Sequence, residues 1–200
     1  MAIPELTWET NRILARPPTR ADAKVVFENY ASDPEVAKYM TWRPHRDLAE
    51  TLEFLRRCER VWIDGSAFPW SLWLKDSGEF VGTASAIHNP AGSRFHFPAG
   101  GELGYFVVAA THRGQGLGSA LICAVIDRFR KAGYQHIWLG VQGWRLPAIS
   151  LYLRHGFRPF LHPPNADQLE RRWRRILAKL ESDLSLDACP RELPSSRNAS

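Results

Sequence analysis

The sequence predicts an α/β protein with a mixed, mostly antiparallel central sheet flanked by helices. Three observations lead there. The runs 68–75 and 79–88 read as strands joined by Asp76-Ser77-Gly78, a hairpin signal and hence an antiparallel pair. In 103–108, Leu103, Tyr105 and Val107 alternate with Gly104, Phe106 and Val108, a strand that delivers a glycine-rich stretch to a helix at 118–132. A strand at 136–141 and a helix at 147–155 follow, and alternating helix and strand after an antiparallel start makes the sheet mixed.

Length and composition bound what such a fold can be. Two hundred residues, 44% hydrophobic with 8 Trp and 10 Phe, suffice for one domain with a sizeable core. The first eleven residues have neither a basic start nor an apolar run, and the longest apolar run, 120–126, is too short to span a bilayer. A cytoplasmic protein without a membrane segment is expected. Cys58, Cys123 and Cys189 form no pairable set and no metal spacing, so reduced, inert thiols and no metal are expected. A net charge of +5 suits an anionic cofactor as well as it suits nucleic acid.

Taken in order, 12–14 reads as a short strand stopped by Pro17-Pro18. Thr19 with Asp22 forms a capping-box pattern, and Ala23, Val26, Phe27 and Tyr30 recur at helical spacing. Asp33 caps a short helical piece at 34–40 with Pro34 in its first position. Asp47 caps a helix whose Leu48, Leu52, Leu55 and Trp62 share a face and which Gly65 ends. The stretch 89–100, with Arg94, Phe95, His96 and Phe97 between Pro and Gly breaks, is a candidate substrate loop or an ordinary surface loop. In 118–132, Leu121, Ala124, Val125 and Phe129 face inward and Gly133 is the stop. From 166 to 184, Leu169, Trp173, Ile176, Leu177 and Leu180 form an apolar stripe expected to pack on the domain. Opposite them Arg171, Arg172, Arg174, Arg175 and Lys179 form a solvated basic face. The domain is therefore drawn at 1–184, and 185–200, with two Pro and four Ser, is expected to be a disordered tail.

The chemistry concentrates in 102–121. Glycines at 114, 116 and 118 serve poorly inside a strand or helix and suit a turn, so the strand hands over to the helix through a loop of exposed N–H groups at the positive end of a helix dipole. Such a loop is an anion cradle. The Gly-Lys-Ser/Thr ending of a mononucleotide loop is absent, and the third glycine comes too early for a dinucleotide fingerprint. The pattern Arg-x-x-Gly-x-Gly on Arg113, Gly116 and Gly118, together with Pro147-Ala148-Ile149-Ser150-Leu151-Tyr152 and Gly156-Phe157, resembles the GNAT family of acyl-CoA-dependent N-acyltransferases. The resemblance covers about 13–160. In the N-terminal third, 39–46 after Asp33-Pro34 resembles the branch that includes ribosomal-protein N-terminal acetyltransferases, whereas 145–157 resembles small-molecule branches.

The resemblance implies an N-acetyltransferase that moves an acetyl group directly from acetyl-CoA to a primary amine of a small molecule or a peptide N-terminus. It implies that the backbone from Gly114 through Gln115, Gly116, Leu117 and Gly118 to Ser119 holds the CoA pyrophosphate, with Arg113 adding charge. Val107 and Val108 lie on the strand that pairs with the pantetheine arm, and the Val108 N–H polarises the thioester carbonyl. Tyr152 occupies the position of the proton donor to the CoA sulfur. Glu102 is placed where some relatives keep a base, and strand alternation puts Glu102 and Val108 on one face. Arg145 and Gly140 stand where many relatives carry Asn and Glu. Arg43, His45 and Arg46 either cap helices in solvent or bind an acidic group on the acceptor. Acetyl-CoA and an amine are the expected partners, with nucleic acid not expected and a homodimer left open. A non-catalytic CoA-binding module and a basic nucleic-acid-binding protein are the rival classes.

Overall fold

The computed structural model describes residues 5–38, 42–88, 100–187 and 189–191. The chain falls into two compact units, Met1–Leu139 and Gly140–Ser200. The first holds a six-stranded sheet in sequential order: β1 (Trp8–Glu9), β2 (Ile13–Arg16), β3 (Ala67–Leu74), β4 (Phe80–His88), β5 (Gly100–Val108) and β6 (His136–Trp138). Neighbours from β1 to β5 are antiparallel, and β5 and β6 are parallel, joined through α4 (Leu117–Lys131). The mixed, mostly antiparallel sheet flanked by helices is the architecture the sequence predicts.

Local chemistry sets most boundaries. Asp22, 5% exposed, takes N–H and hydroxyl bonds from Thr19 and two bonds from Arg16, and opens the helical run 20–31 that contains α1 (Ala23–Val26). Asp33 accepts from the Glu35 N–H at the start of α2 (Pro34–Ala37). Asp47 accepts from Glu50 at the start of α3 (Leu48–Asp64), and Gly65 closes α3 at φ +73°, a left-handed conformation that favours glycine. The buried side of α3 is rotated from the expected stripe: Thr51, Leu55 and Cys58 are buried while Leu48 is exposed. In the hairpin, Gly78 N–H bonds to the Leu74 carbonyl at 2.9 Å. The buried residues of this unit include Trp70, Leu72 and Leu103 of the sheet, Leu55 of α3, and Leu121, Ile122 and Val125 of α4.

Two expectations about strands are corrected. The strand expected at 136–141 stops at Trp138, because its ladder ends at the pair Glu102 and Trp138. β5 is also not a regular alternation. Ala84 pairs with Phe106 and Ala86 with Leu103, so Gly104 and Tyr105 stand opposite Ser85 alone: a β-bulge.

The second unit holds α5 (Leu146–Arg154) and α6 (Ala166–Lys179). The apolar stripe of α6 packs as expected, with Leu177 beside Leu161 and with Leu169 and Trp173 at the edge. The same cluster includes Leu186 and Cys189, and the Leu161 N–H bonds to the Pro190 carbonyl at 2.9 Å. The tail expected to be disordered from 185 is therefore packed where 185–191 is described, since two apolar side chains there complete a core that α6 leaves open. The residues 192–200 lie outside the described residues.

Candidate functional site

β5 has two paired neighbours only at its beginning. On the β6 side, Gly100, Gly101 and Glu102 pair with His136, Ile137 and Trp138, and beyond Glu102 the ladder stops. On the β4 side it continues to Val108 opposite Gly82. From Leu103 to Val108 one edge of β5 therefore has no strand beside it among the described residues, a template for an extended polar group. The open stretch is about 17–20 Å long at ~3.3 Å per residue.

The open edge leads into the glycine loop. After β5 the Ala109 N–H bonds to the Val81 carbonyl and a 3-10 turn, Ala110–His112, reverses the chain. Gly114 and Gly116 both take φ +77°, and a Cβ at either would meet nothing within 4 Å. Backbone conformation, not crowding, calls for glycine here, and the space above the loop is open. Gly116 is the N-cap of α4 and offers no side-chain acceptor, and Ala120 N–H makes a bond to its carbonyl at 3.1 Å. Helical geometry aims the first N–H groups of α4, beginning at Leu117 and Gly118, out of the helix at its positive end. The exposed Arg113 turns back, its Nε donating to the Val108 carbonyl at 3.3 Å. A linear edge, two left-handed glycines and a helix N-terminus fit a thioester cofactor whose amide arm ends in a pyrophosphate.

Contacts from distant residues support the loop. His112, 8% exposed, places Nε2 3.3 Å from the Glu79 carboxylate and Nδ1 2.9 Å from Thr111 Oγ1, tying the loop to the β3–β4 hairpin. Arg12 reaches the tip, its Nη1 donating to the Gln115 carbonyl at 2.9 Å. Neither Arg12 nor Glu79 is a site residue by sequence reasoning. Arg12 lies 103 positions from its acceptor, and no local pattern marks it.

Glu102 is the last residue of β5 paired on both sides, in register with Ile87 and Trp138. Burial raises its carboxyl pKa, as apolar strand neighbours would. The expectation that it shares a face with Val108 is wrong. Glu102 opposes Ile87 and Val108 opposes Gly82, five residues away on β4, and an odd separation means opposite faces. The extra residue at the bulge reverses the parity that counting along β5 suggests.

Within the second unit, Tyr152 lies on α5, its ring edge-on to Phe157 at 5.8 Å. Its carbonyl accepts the Phe157 N–H at 3.1 Å. Burial raises the phenol pKa, only partly offset by the Arg145 charge, so the group is protonated at neutral pH. Pro147 lies in the first turn of α5.

The N-terminal cations are used internally. Arg43 and Arg46 both bind Glu50 and hold its carboxyl down to about 2, and His45 Nδ1 contacts Thr51 Oγ1 at 2.9 Å. That favours helix capping over acceptor binding for all three. Part of the 39–46 motif, and residues 89–99 of the candidate loop 89–100, lie outside the described residues, while Gly100 opens β5. Cys58 is inert, its thiol pushed up to about 12 by burial. Among the described residues no three His, Cys, Asp or Glu cluster as a metal site, and no helix is long and apolar enough to cross a membrane.

Comparison with known proteins agrees with this geometry. Residues 28–157 match the model of the acetyltransferase (GNAT) family. An uncharacterized N-acetyltransferase p20 from Bacillus licheniformis is 28% identical over 148 residues, 72% of this chain and 78% of that protein. The ribosomal-protein-S5-alanine acetyltransferase from Vibrio fischeri shares the fold at a TM-score of 0.62 and 17% identity, over 76% of this chain and 83% of that one. A spermidine N-acetyltransferase from Vibrio cholerae, solved with CoA and spermine, does so at 0.59 and 18%, over 74% and 81%. With its open β5 edge, its glycine loop and a family match across 28–157, the chain belongs to the GNAT family and is an acetyl-CoA-dependent N-acetyltransferase.

Proposed function

We propose that the protein transfers acetyl directly from acetyl-CoA to a primary amine, of a small molecule or of a peptide N-terminus, with Tyr152 as acid and the 113–119 loop as pyrophosphate site. The observation that carries this reading is the open edge of β5 running into two left-handed glycines at the N-terminus of α4. The backbone groups of Val107 and Val108 take the end of the pantetheine arm, and the Val108 N–H polarises the thioester carbonyl as a fixed dipole. N–H groups from Gly114 to Ser119 hold the pyrophosphate and Arg113 adds positive charge.

The chemical step follows. The neutral amine attacks the carbonyl carbon, the C–S bond breaks, and Tyr152 gives its phenolic proton to the departing thiolate. The surplus amine proton leaves to Glu102 through water. A bridging path is required because Glu102 and Val108 lie on opposite faces, roughly 17 Å apart for five strand residues of β4. Burial raises the pKa of the Glu102 carboxyl, which makes its carboxylate a stronger proton acceptor. The family match runs through parts of both units, which supports a single catalytic domain, and the packing of Leu186 and Cys189 carries it past the expected limit at 184. The fold itself does not choose the acceptor, since among proteins of this shape one is named for a ribosomal-protein alanine and another for spermidine.

Gly116→Asp tests the site. It puts a side chain on a φ of +77° and a negative charge where the phosphate is held, so CoA binding by calorimetry is expected to disappear while the circular dichroism spectrum is kept. Wild-type affinity in the folded variant refutes the assignment.

A further inference from the structure

We propose that Arg12 is a positioning residue that locks the Gln115–Gly116 peptide in its anion-binding orientation. The inference rests on the reading of the 113–119 loop as the pyrophosphate site.

The bond itself is simple: Arg12 Nη1 donates to the Gln115 carbonyl at 2.9 Å. Its consequence follows from peptide geometry. In a planar trans peptide the C=O and the following N–H point in opposite directions, so fixing the Gln115 oxygen toward Arg12 aims the Gly116 N–H away from it. Within the loop Gln115 is held through its side chain, Nε2 donating to the Thr111 carbonyl at 3.4 Å, which does not fix the direction of its own carbonyl. Gln115 lies between two glycines at φ +77°, and a peptide followed by glycine rotates between turn types at little steric cost. The rotated peptide would offer an oxygen where a phosphate expects an N–H. A latch from outside the loop removes that alternative.

Arg12 is built to act as one. The Thr10 hydroxyl oxygen accepts the Arg12 N–H at 3.3 Å and the Ile13 N–H at 3.0 Å, which shapes the β1–β2 turn. On the other side, the Arg12 carbonyl accepts the Lys75 N–H at 3.0 Å. The backbone is thus held from two directions while the guanidinium extends to the loop. Among the described residues no carboxylate pairs with Arg12, whereas Arg16, Arg20, Arg43 and Arg46 each have one. Its charge therefore also adds to the positive field of the α4 terminus. The His112–Glu79 contact ties down the loop before Gly114 and does not reach the peptide that Arg12 holds.

The experiment compares Arg12→Met and Arg12→Lys with the wild type. Calorimetric Kd values for CoA and for 3′-dephospho-CoA are paired with kcat and KM for acetyl-CoA. Arg12→Met is expected to weaken both ligands by the same factor, roughly five- to twentyfold for one well-placed hydrogen bond. KM rises with Kd, while kcat at saturation stays within about twofold. Arg12→Lys, which keeps a cationic donor, recovers most of the affinity. The Gly116 amide resonance, shifted by CoA in the wild type, shifts less at saturation in Arg12→Met. Unchanged affinity in Arg12→Met overturns the inference. So does a loss seen with CoA and not with 3′-dephospho-CoA, which would make Arg12 a direct ligand of the 3′-phosphate, and so does a loss that Lys fails to recover. If Gly116→Asp abolishes binding while Arg12→Met does not weaken it, the latch alone fails. If Gly116→Asp binds CoA as the wild type does, the cofactor-site reading fails and the latch with it.

Discussion

Glu102 and Tyr152 show how burial shifts proton affinity at the proposed site. Both have raised pKa values, with desolvation the leading cause in each. For Tyr152 the shift keeps the proton on until a stronger base, the nascent thiolate, appears. Tyr152→Phe is therefore expected to lower kcat by roughly 10²–10⁴ with CoA affinity nearly intact. Steady-state kinetics beside calorimetry decides the point, since a change confined to KM would mean that the ring only packs on Phe157. For Glu102 the same direction of shift has a different consequence, because a carboxyl ordinarily ionises below neutral pH. A carboxyl whose pKa is raised above its usual 4.5 disfavours the native state once it ionises. The penalty is absent below the unfolded value, grows as pH rises through the folded one, and is constant above it. Glu102→Gln should thus raise Tm at neutral pH, with the gain vanishing in acid. The variant should also lose the limb along which kcat/KM rises with pH. If thermal melts across pH and the rate profile both match the wild type, Glu102 is neither desolvated nor a base.

At the scale of elements, the bulge in β5 decides most. Gly104 is the residue that allows it: a Cβ there would overlap Ser85 Oγ and lie 3.1 Å from Ile87. Ser85 is 6% exposed and has little room to retreat. Gly104→Ala is expected to destabilise by about 1–3 kcal/mol, the usual cost of overpacking. Adding Ser85→Gly should return part of that loss, and urea denaturation of the two single variants and the double variant measures it as a coupling energy. Strict additivity would mean that the two residues do not meet across the ladder. The bulge also explains why counting along the strand misplaces Glu102. Parity on β5 depends on how many β4 residues stand opposite, which is a property of the pair and not of either strand.

At the scale of the whole chain, the second unit depends on residues beyond its last helix. Leu186 is 6% exposed and packs with Leu161 and Leu177. Leu186→Ala should cost about 2–5 kcal/mol, as large-to-small core changes do, read as the loss of stability in chemical denaturation of the full chain. A change within about 0.5 kcal/mol, the range of surface substitutions, would return 185–191 to the status of a loose tail.

Features that arise within a few residues were legible in the chain itself. The caps at Asp33 and Asp47, the hairpin turn at Gly78, the left-handed stop at Gly65 and the glycine loop before α4 follow from local φ preferences and short-range hydrogen bonds, which act whatever the rest of the chain does. The GNAT resemblance rested on two such local motifs, at 113–118 and 147–157. Pairing between distant segments was decided only in the folded molecule. The end of the β6 ladder at Trp138, the bulge opposite Ser85, the burial of Leu186 and Cys189 and the reach of Arg12 to Gln115 each depend on partners that no neighbouring residue specifies. Their energies exist only once non-local contacts close, and a pattern with a range of three or four residues carries no trace of them.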